Sequence, residues 1–176
     1  MAKLTTVQEK FILHWGTMGT QWGINRTVAQ IHALLFISPK PLPAEEIAET
    51  LRVARSNVSN SLRELEGWGI IRTASVIGDR RDHFESLKDV WELFRVVLDE
   101  RKRREFDPTL ALLRECVAES AKSREDALTH ARLSELLGFF ETMGAWFDQL
   151  RRLPNTAIIR FVKLGDKLFR TLGIGG

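Results

Sequence analysis

Apolar residues recur at spacings of three and four along most of this chain, and one short stretch breaks that rhythm. From residue 5 to 22, Val7, Phe11, Trp15, Met18 and Trp22 share one helical face. Gly16, Gly19 and Gly23 weaken this helix, since each glycine costs about 1 kcal/mol in a helix interior. A second helix is predicted from Asn25 to Ile37, with Asn25 as N-cap and Val28, Ile31, Leu34 and Leu35 buried. Ser38-Pro39-Lys40-Pro41 ends it, because a residue before proline is pushed out of the α region. Ala44 to Leu51 forms barely two turns, with Ile47, Ala48 and Leu51 inward. Arg52-Val53 is a turn, and another helix runs from Ala54 to Trp68, stopped by Gly67-Trp68-Gly69.

The helical rhythm then lapses. Ile71 to Ile77 is rich in β-branched residues and reads as a strand. Gly78-Asp79-Arg80-Arg81 reads as a turn with two arginines at its tip, and Asp82 to Glu85 as the returning strand. From Asp89 the long helices resume, the first carrying Val90, Leu93, Phe94, Val97 and Leu98. Arg101-Lys102-Arg103-Arg104 is expected to end it; the run could touch phosphates, and the plainer reading is that cations are favoured at a helix C-terminus. Asp107-Pro108 is expected to restart a helix, Asp as N-cap and Pro at the first position. Ser123 and Asp126 form a capping-box pattern for a helix reaching Leu153. Two apolar rows run along that helix: Leu136, Phe140, Met143, Phe147 and Leu150, and beside them Phe139, Trp146 and Leu153. Two rows exceed what one flank needs, so one is expected to pack within the protomer and the other against a second chain. After Pro154 a last helix is expected, carrying Ile158, Ile159, Val162, Leu168, Phe169 and Leu172.

The helix from Ala54 carries the candidate chemistry. With Val58 at the origin and about 100° per residue, Leu62 falls near about 40° and Leu65 near about 340°. Ser56, Asn60 and Arg63 fall at about 140° to 200°, flanked by Asn57 and Ser59. No acidic residue lies between Val53 and Arg63. Hydroxyls, carboxamides and a guanidinium are the groups that reach base edges and phosphates in a major groove. The plainer reading is a solvated helix face. The short preceding helix, the tight turn and the ribbon behind favour DNA reading. Arg80 and Arg81 on the ribbon fit a minor groove, whose narrow A·T-rich stretches attract arginine.

Composition changes this picture little. The chain has 176 residues, 44% hydrophobic and 28% charged, as a protein with a core of its own should. The net charge is only +3, mild support for an acidic partner. The single cysteine, Cys116, cannot form an internal disulfide. Without an apolar run of about 18 residues, no membrane span is expected and the expected location is cytoplasmic.

Several stretches resemble a known family: residues 43–51 (PAEEIAETL), 55–66 (RSNVSNSLRELE), 67–71 (GWGII), 78–85 (GDRRDHFE), 89–94 (DVWELF) and 100–109 (ERKRREFDPT). They are similar to the GbsR-type branch of the MarR-like winged-helix transcription regulators. The resemblance implies a mainly α fold with a small β-wing, that is, a winged helix-turn-helix plus long dimerisation helices. It implies a homodimer that binds double-stranded DNA at a pseudo-palindromic operator, usually as a repressor. The DNA-binding positions it implies are Arg55, Ser56, Asn57, Ser59, Asn60 and Arg63 on the helix, and Arg80 and Arg81 on the wing. Two positions depart from the pattern. Arg52 stands where Gly or Asn is frequent. Ala54 stands where Ser is frequent, forgoing a cap that contributes about 1 kcal/mol. The expected organisation is a winged-helix domain at 25–88, with 1–24 and 89–176 as a helical dimerisation and effector region.

Some members of this branch sense quaternary ammonium compounds, which need aromatic faces around the cation. Trp15, Trp22, Trp91, Phe94 and Trp146 form the candidate effector pocket; core packing at helical spacing is the plainer reading. Cys116 is either a redox switch or, more simply, a buried thiol. His14, His32, His83 and His130 lack metal-ligand spacing, so no metal or other cofactor is expected. No nucleophile elbow, phosphate-binding glycine loop or paired-carboxylate motif is present, so no enzyme is expected. The competing readings are a winged-helix adaptor that binds protein, and a sequence-neutral architectural DNA binder. An adaptor has no need of an acid-free helix face beside paired arginines, and a base-reading face is polar and poor in lysine.

Overall fold

A computed structural model describes residues 4–122, 127–160, 162 and 164. The chain divides into two compact units, Met1–Val97 and Leu98–Gly176. The predicted elements of the first unit are present. Helix α1 spans Thr6–Gln21, with Thr5 accepting from the Gln8 amide in a reciprocal capping box. Helix α2 is Arg26–Ile37, capped by Asn25, whose side chain accepts from the Thr27 amide at 2.8 Å. Helices α3 (Ala44–Leu51) and α4 (Arg55–Gly67) flank the tight turn. Strands β2 (Ile71–Val76) and β3 (Asp79–Ser86) form the ribbon.

The core of this unit is the set the spacing selects. Val28, Ile31, Leu34 and Leu35 of α2 meet Ile47 of α3 and Val58, Leu62 and Leu65 of α4, all buried. Fixing one face of α4 inward leaves its opposite face for solvent or a partner. Arg52 closes α3 in the left-handed region, at φ 54° and ψ 43°. That conformation is costly for a residue with a Cβ, which accounts for glycine or asparagine being frequent there.

Three features of the first unit depart from the sequence reading. The sheet has three strands: Leu42–Pro43 forms β1 and pairs antiparallel with β3, Leu42 opposite Phe84. Two residues, one of them proline, show no alternation that a sequence could reveal. The hairpin also turns earlier than expected. Val76 pairs with Asp79, so the turn is Ile77-Gly78 and Arg80 and Arg81 stand within β3, off the tip. The third departure lies in α1, where Val7 and Trp22 are exposed and the buried line is Ile12, Gly16 and Gly19. A Cβ added to Gly19 would lie 2.5 Å from the Cβ of Ala29 in α2. Gly19 therefore lies where α2 packs too closely for a side chain on α1. Gly19→Ala should gain about 1 kcal/mol of helix propensity and lose more through overpacking, about 1–3 kcal/mol. Urea unfolding should show net destabilisation, largely reversed in the Gly19→Ala, Ala29→Gly double variant. A more stable single variant would contradict the packing account.

Lys88, just past the ribbon, donates to the carbonyl oxygens of Leu35, Phe36 and Ser38 at 2.8, 2.8 and 2.9 Å. Those are orphan acceptors at the end of α2, and a cation there is favoured by the helix dipole.

The second unit begins in the last turn of α5 (Val90–Arg101). The expected break after the basic run is absent. A π-helical turn, Lys102–Phe106, joins α5 directly to α6 (Asp107–Ser120), and Asp107 has helical dihedrals instead of capping ones. Proline inside a helix lacks an N–H and crowds the carbonyl four residues back; the wider turn relieves this just before Pro108. The basic run is not at a helix end either. Arg103 binds Glu100 at 2.7 Å, and Lys102 binds Asp107 at 2.8 Å and Asp148 at 3.5 Å.

Helix α7 is Ala127–Arg152. Phe140 stacks on Phe106 with centroids 4.9 Å apart, and Phe147 meets Phe106 edge-on. Leu128, Leu136, Phe139 and Trp146 are exposed. Residues 155–160 are helical after Pro154. The Ser123–Asp126 capping box, and Leu168, Phe169 and Leu172, lie outside the described residues. Among the described residues, no helix is long and apolar enough to cross a membrane. No group of three His, Cys, Asp or Glu side chains among them could hold a metal ion.

Candidate nucleic-acid interface

Helix α4 opens on Ala54, which is extended and offers no side-chain cap. The first amides of the helix therefore point outward without intrahelical acceptors. The next two turns present Arg55, Ser56, Asn57, Asn60 and Arg63, all exposed, with Ser59 half-buried. Ser56 and Asn57 lie beside the open amides. Further along, the side chains are pre-arranged. Arg63 donates from Nη2 to Asn60 Oδ1 at 2.5 Å. Arg55 donates from Nη1 to Ser59 Oγ and from Nε to Glu45 Oε1, the latter at 3.0 Å.

The ribbon faces this helix across a cleft of about 520 Å³. Arg55, Ser59 and Arg63 line it from α4, and Arg80 and Arg81 from β3. Thr73 of β2 donates to Glu66 Oε1 at 2.7 Å, which ties the ribbon to the C-terminal half of α4. Arg72 bonds Glu85 at 2.7 Å across the β2–β3 pair. The two candidate wing arginines differ. Arg81 is gripped by Asp79 through Nε at 3.0 Å and Nη2 at 2.5 Å. The Arg81 side chain and then its backbone amide hold the Asp79 carboxyl well below the usual carboxylate range. Beneath them, buried His83 places Nδ1 2.8 Å from the Arg81 carbonyl oxygen and Nε2 3.4 Å from Asp79. The Arg80 side chain makes no hydrogen bond or ion pair among the described residues.

Residues 22–82 match the sequence model of the MarR family. These residues fold as a winged helix-turn-helix. A crystal structure described as a transcriptional regulator is 22% identical, with a TM-score of 0.61, covering 82% of this chain and 95% of that one. It shows the same fold. A crystal structure of the S. aureus MepR–DNA complex is 19% identical, with a TM-score of 0.38, covering 75% of this chain and 91% of that one. No curated protein matches the chain.

The winged-helix domain thus gathers Arg55, Ser59, Arg63, Arg80 and Arg81 at one cleft, with Ser56, Asn57 and Asn60 on the adjoining face. Sequence reasoning passed over Glu45, Asp79 and His83, which hold two of the arginines in place. Glu45 lies in the first turn of α3; that helix's own amide, and then Arg55, hold its carboxyl below the ordinary value. The signal for Asp79 and His83 was their alternation with Arg81, which puts all three on one face of a strand.

The candidate effector aromatics are more dispersed. Trp91 meets Phe94 edge-on at 6.3 Å. Trp15 packs on Phe11 and on His32, and Trp22 is exposed at the end of α1. Trp146 belongs to the second unit and lies against Phe147. Cys116 is half-buried.

Proposed function

We propose that this protein is a sequence-specific, homodimeric DNA-binding transcription regulator of the GbsR-type branch, acting in the cytoplasm as a repressor. Helix α4 enters the major groove and reads base edges through Ser56, Asn57, Asn60 and Arg63. The β2–β3 ribbon lies along the neighbouring minor groove, with Arg80 and Arg81 against its phosphate walls. The observation that carries this reading is the convergence of α4 and β3 arginines on one cleft, beside a polar stretch of α4 from Arg55 to Arg63 that carries no acid. The uncapped start of α4 supports it, because open amides at the positive end of a helix suit a phosphate.

In this reading residues 25–88 form the reader, and 1–24 with 89–176 pair two copies and house any effector. The exposed apolar side chains of α7, Phe139 and Trp146 of one predicted row together with Leu136 of the other and Leu128, support pairing through that region. A dimer of this kind sets two copies of α4 about one helical turn of DNA apart, so its operator must mirror its symmetry. Selection of bound duplexes from a random pool is the direct test. A palindromic motif is expected; recovery of unrelated sequences with no shared motif would leave an adaptor or a sequence-neutral binder.

A further inference from the structure

The tip of the ribbon is occupied by a residue that the fold does not use. Two residues join β2 to β3, and the second, Gly78, takes φ +84°, which a Cβ would disfavour. The first is Ile77. Its side chain is fully exposed, at 104%, more than any other large hydrophobic residue described. Hairpin turns are ordinarily built from Asn, Asp, Gly or Ser, so turn chemistry gives no reason for isoleucine here. Folding gains nothing from an aliphatic group left in water. Val76 beside it is also partly exposed, which makes the end of the ribbon an apolar knob. Arg80, three residues on and unpaired among the described residues, flanks the knob with a positive charge. An apolar tip beside a free guanidinium matches a surface with charged walls and a less polar floor, which is the minor groove of DNA.

We propose that Ile77 is a minor-groove specificity residue: an apolar wing tip that selects A·T over G·C at the base pairs flanking the sequence read by α4. The inference rests on the DNA-reading function proposed above. In the minor groove, A·T and T·A pairs present only acceptors along the floor, whereas G·C adds the protruding guanine N2 amino group. An aliphatic side chain closes against the smooth A·T floor. Against G·C it meets the amino group, strips its water and offers it no acceptor, and a buried donor left unmade is unfavourable. Apolar side chains placed in the minor groove are a recurring device of proteins that bind there.

The test uses the full-length protein and the duplex recovered by selection, with only the flanking base pairs changed. Three versions are compared: A·T, G·C and inosine·cytosine, which removes the N2 amino group while keeping the major-groove face of G·C. Wild type is expected to bind the G·C version about tenfold more weakly than A·T, within the usual penalty for one wrong base pair. The inosine version should bind like A·T. Ile77→Ser should lose that discrimination, with an unchanged salt slope because no charge is removed; Ile77→Leu should retain it. The side chain is fully exposed, so neither variant should alter thermal unfolding. Discrimination that persists in Ile77→Ser, or an inosine duplex that behaves like G·C, overturns the proposal while leaving the DNA-reading function standing. If Ile77→Ser instead changes the sedimentation of the free protein and leaves discrimination intact, the knob contacts a second copy and the proposal fails. Absence of any preferred duplex for wild type removes both.

Discussion

Alanine at Asn60 or at Arg63 is expected to weaken binding to the selected duplex by about 10- to 100-fold, the range for losing one specific base contact. Binding to an unrelated duplex should change by no more than about twofold, since it rests on phosphates. The geometry adds a further expectation. Arg63 donates to Asn60 Oδ1, so the carboxamide oxygen is engaged and the two side chains act as one unit. The double variant should therefore lose less than the product of the single losses, as expected for groups in direct contact. Arg80→Ala with Arg81→Ala should behave oppositely: a similar loss on every duplex and a flatter salt dependence. The flattening should reach about one to two counterions. Arg80 is free to neutralise a phosphate, whereas Arg81 already shares its charge with Asp79. Fluorescence anisotropy across a salt series separates the two patterns. Equal losses on specific and unrelated duplexes in the α4 variants would mean that this face does not read bases.

The α4 face was legible because three aliphatic residues fix the rotation of the helix. Once Val58, Leu62 and Leu65 turn inward, the polar side chains have one place left to go. The wing arginines were half legible. Their presence behind α4 was plain, but Gly78-Asp79 was read as turn chemistry, whereas pairing of Val76 with Asp79 leaves only Ile77-Gly78 to turn. That shift moves Arg80 and Arg81 into a strand and puts isoleucine at the tip. Asp107-Pro108 misled for a similar reason. Locally it has the form of a helix start, yet stacking of Phe106 on Phe140 holds that segment against α7 and a π-turn absorbs the proline. Glycine misled in α1, where a pattern built on large apolar residues overlooks a face whose packing depends on small ones. Strand β1 and the Lys88 cap lay beyond reach, because both depend on partners about 40 to 50 residues away in sequence.

Acidification from pH 7 to pH 4.5 should destabilise the first unit by about 2.5 kcal/mol through one residue, His32. Its imidazole is buried between Trp15 and Phe36, with centroids 6.3 and 6.1 Å away, and Nε2 has no hydrogen-bond partner among the described residues. Burial, and secondarily the positive charge of Lys88, lower its pKa from 6.5 to about 4. The unfolded chain thus takes up a proton near pH 6.5 that the folded chain refuses until about pH 4. Between those values the unfolded state holds more protons, so stability falls as pH falls, by up to about 1.4 kcal/mol per pH unit. Glu45 and Asp79 have carboxyl groups held below their ordinary values, so their contributions are lost only at still lower pH. The acid response above pH 4.5 should therefore vanish in His32→Leu, which keeps an apolar side chain in the same space. At pH 7 that variant should be within about 1 kcal/mol of wild type or above it, since it also removes an unsatisfied buried nitrogen. Urea unfolding of both proteins at pH 7.0, 6.0, 5.0 and 4.5 gives the comparison. Parallel pH curves would place the acid sensitivity elsewhere in the molecule.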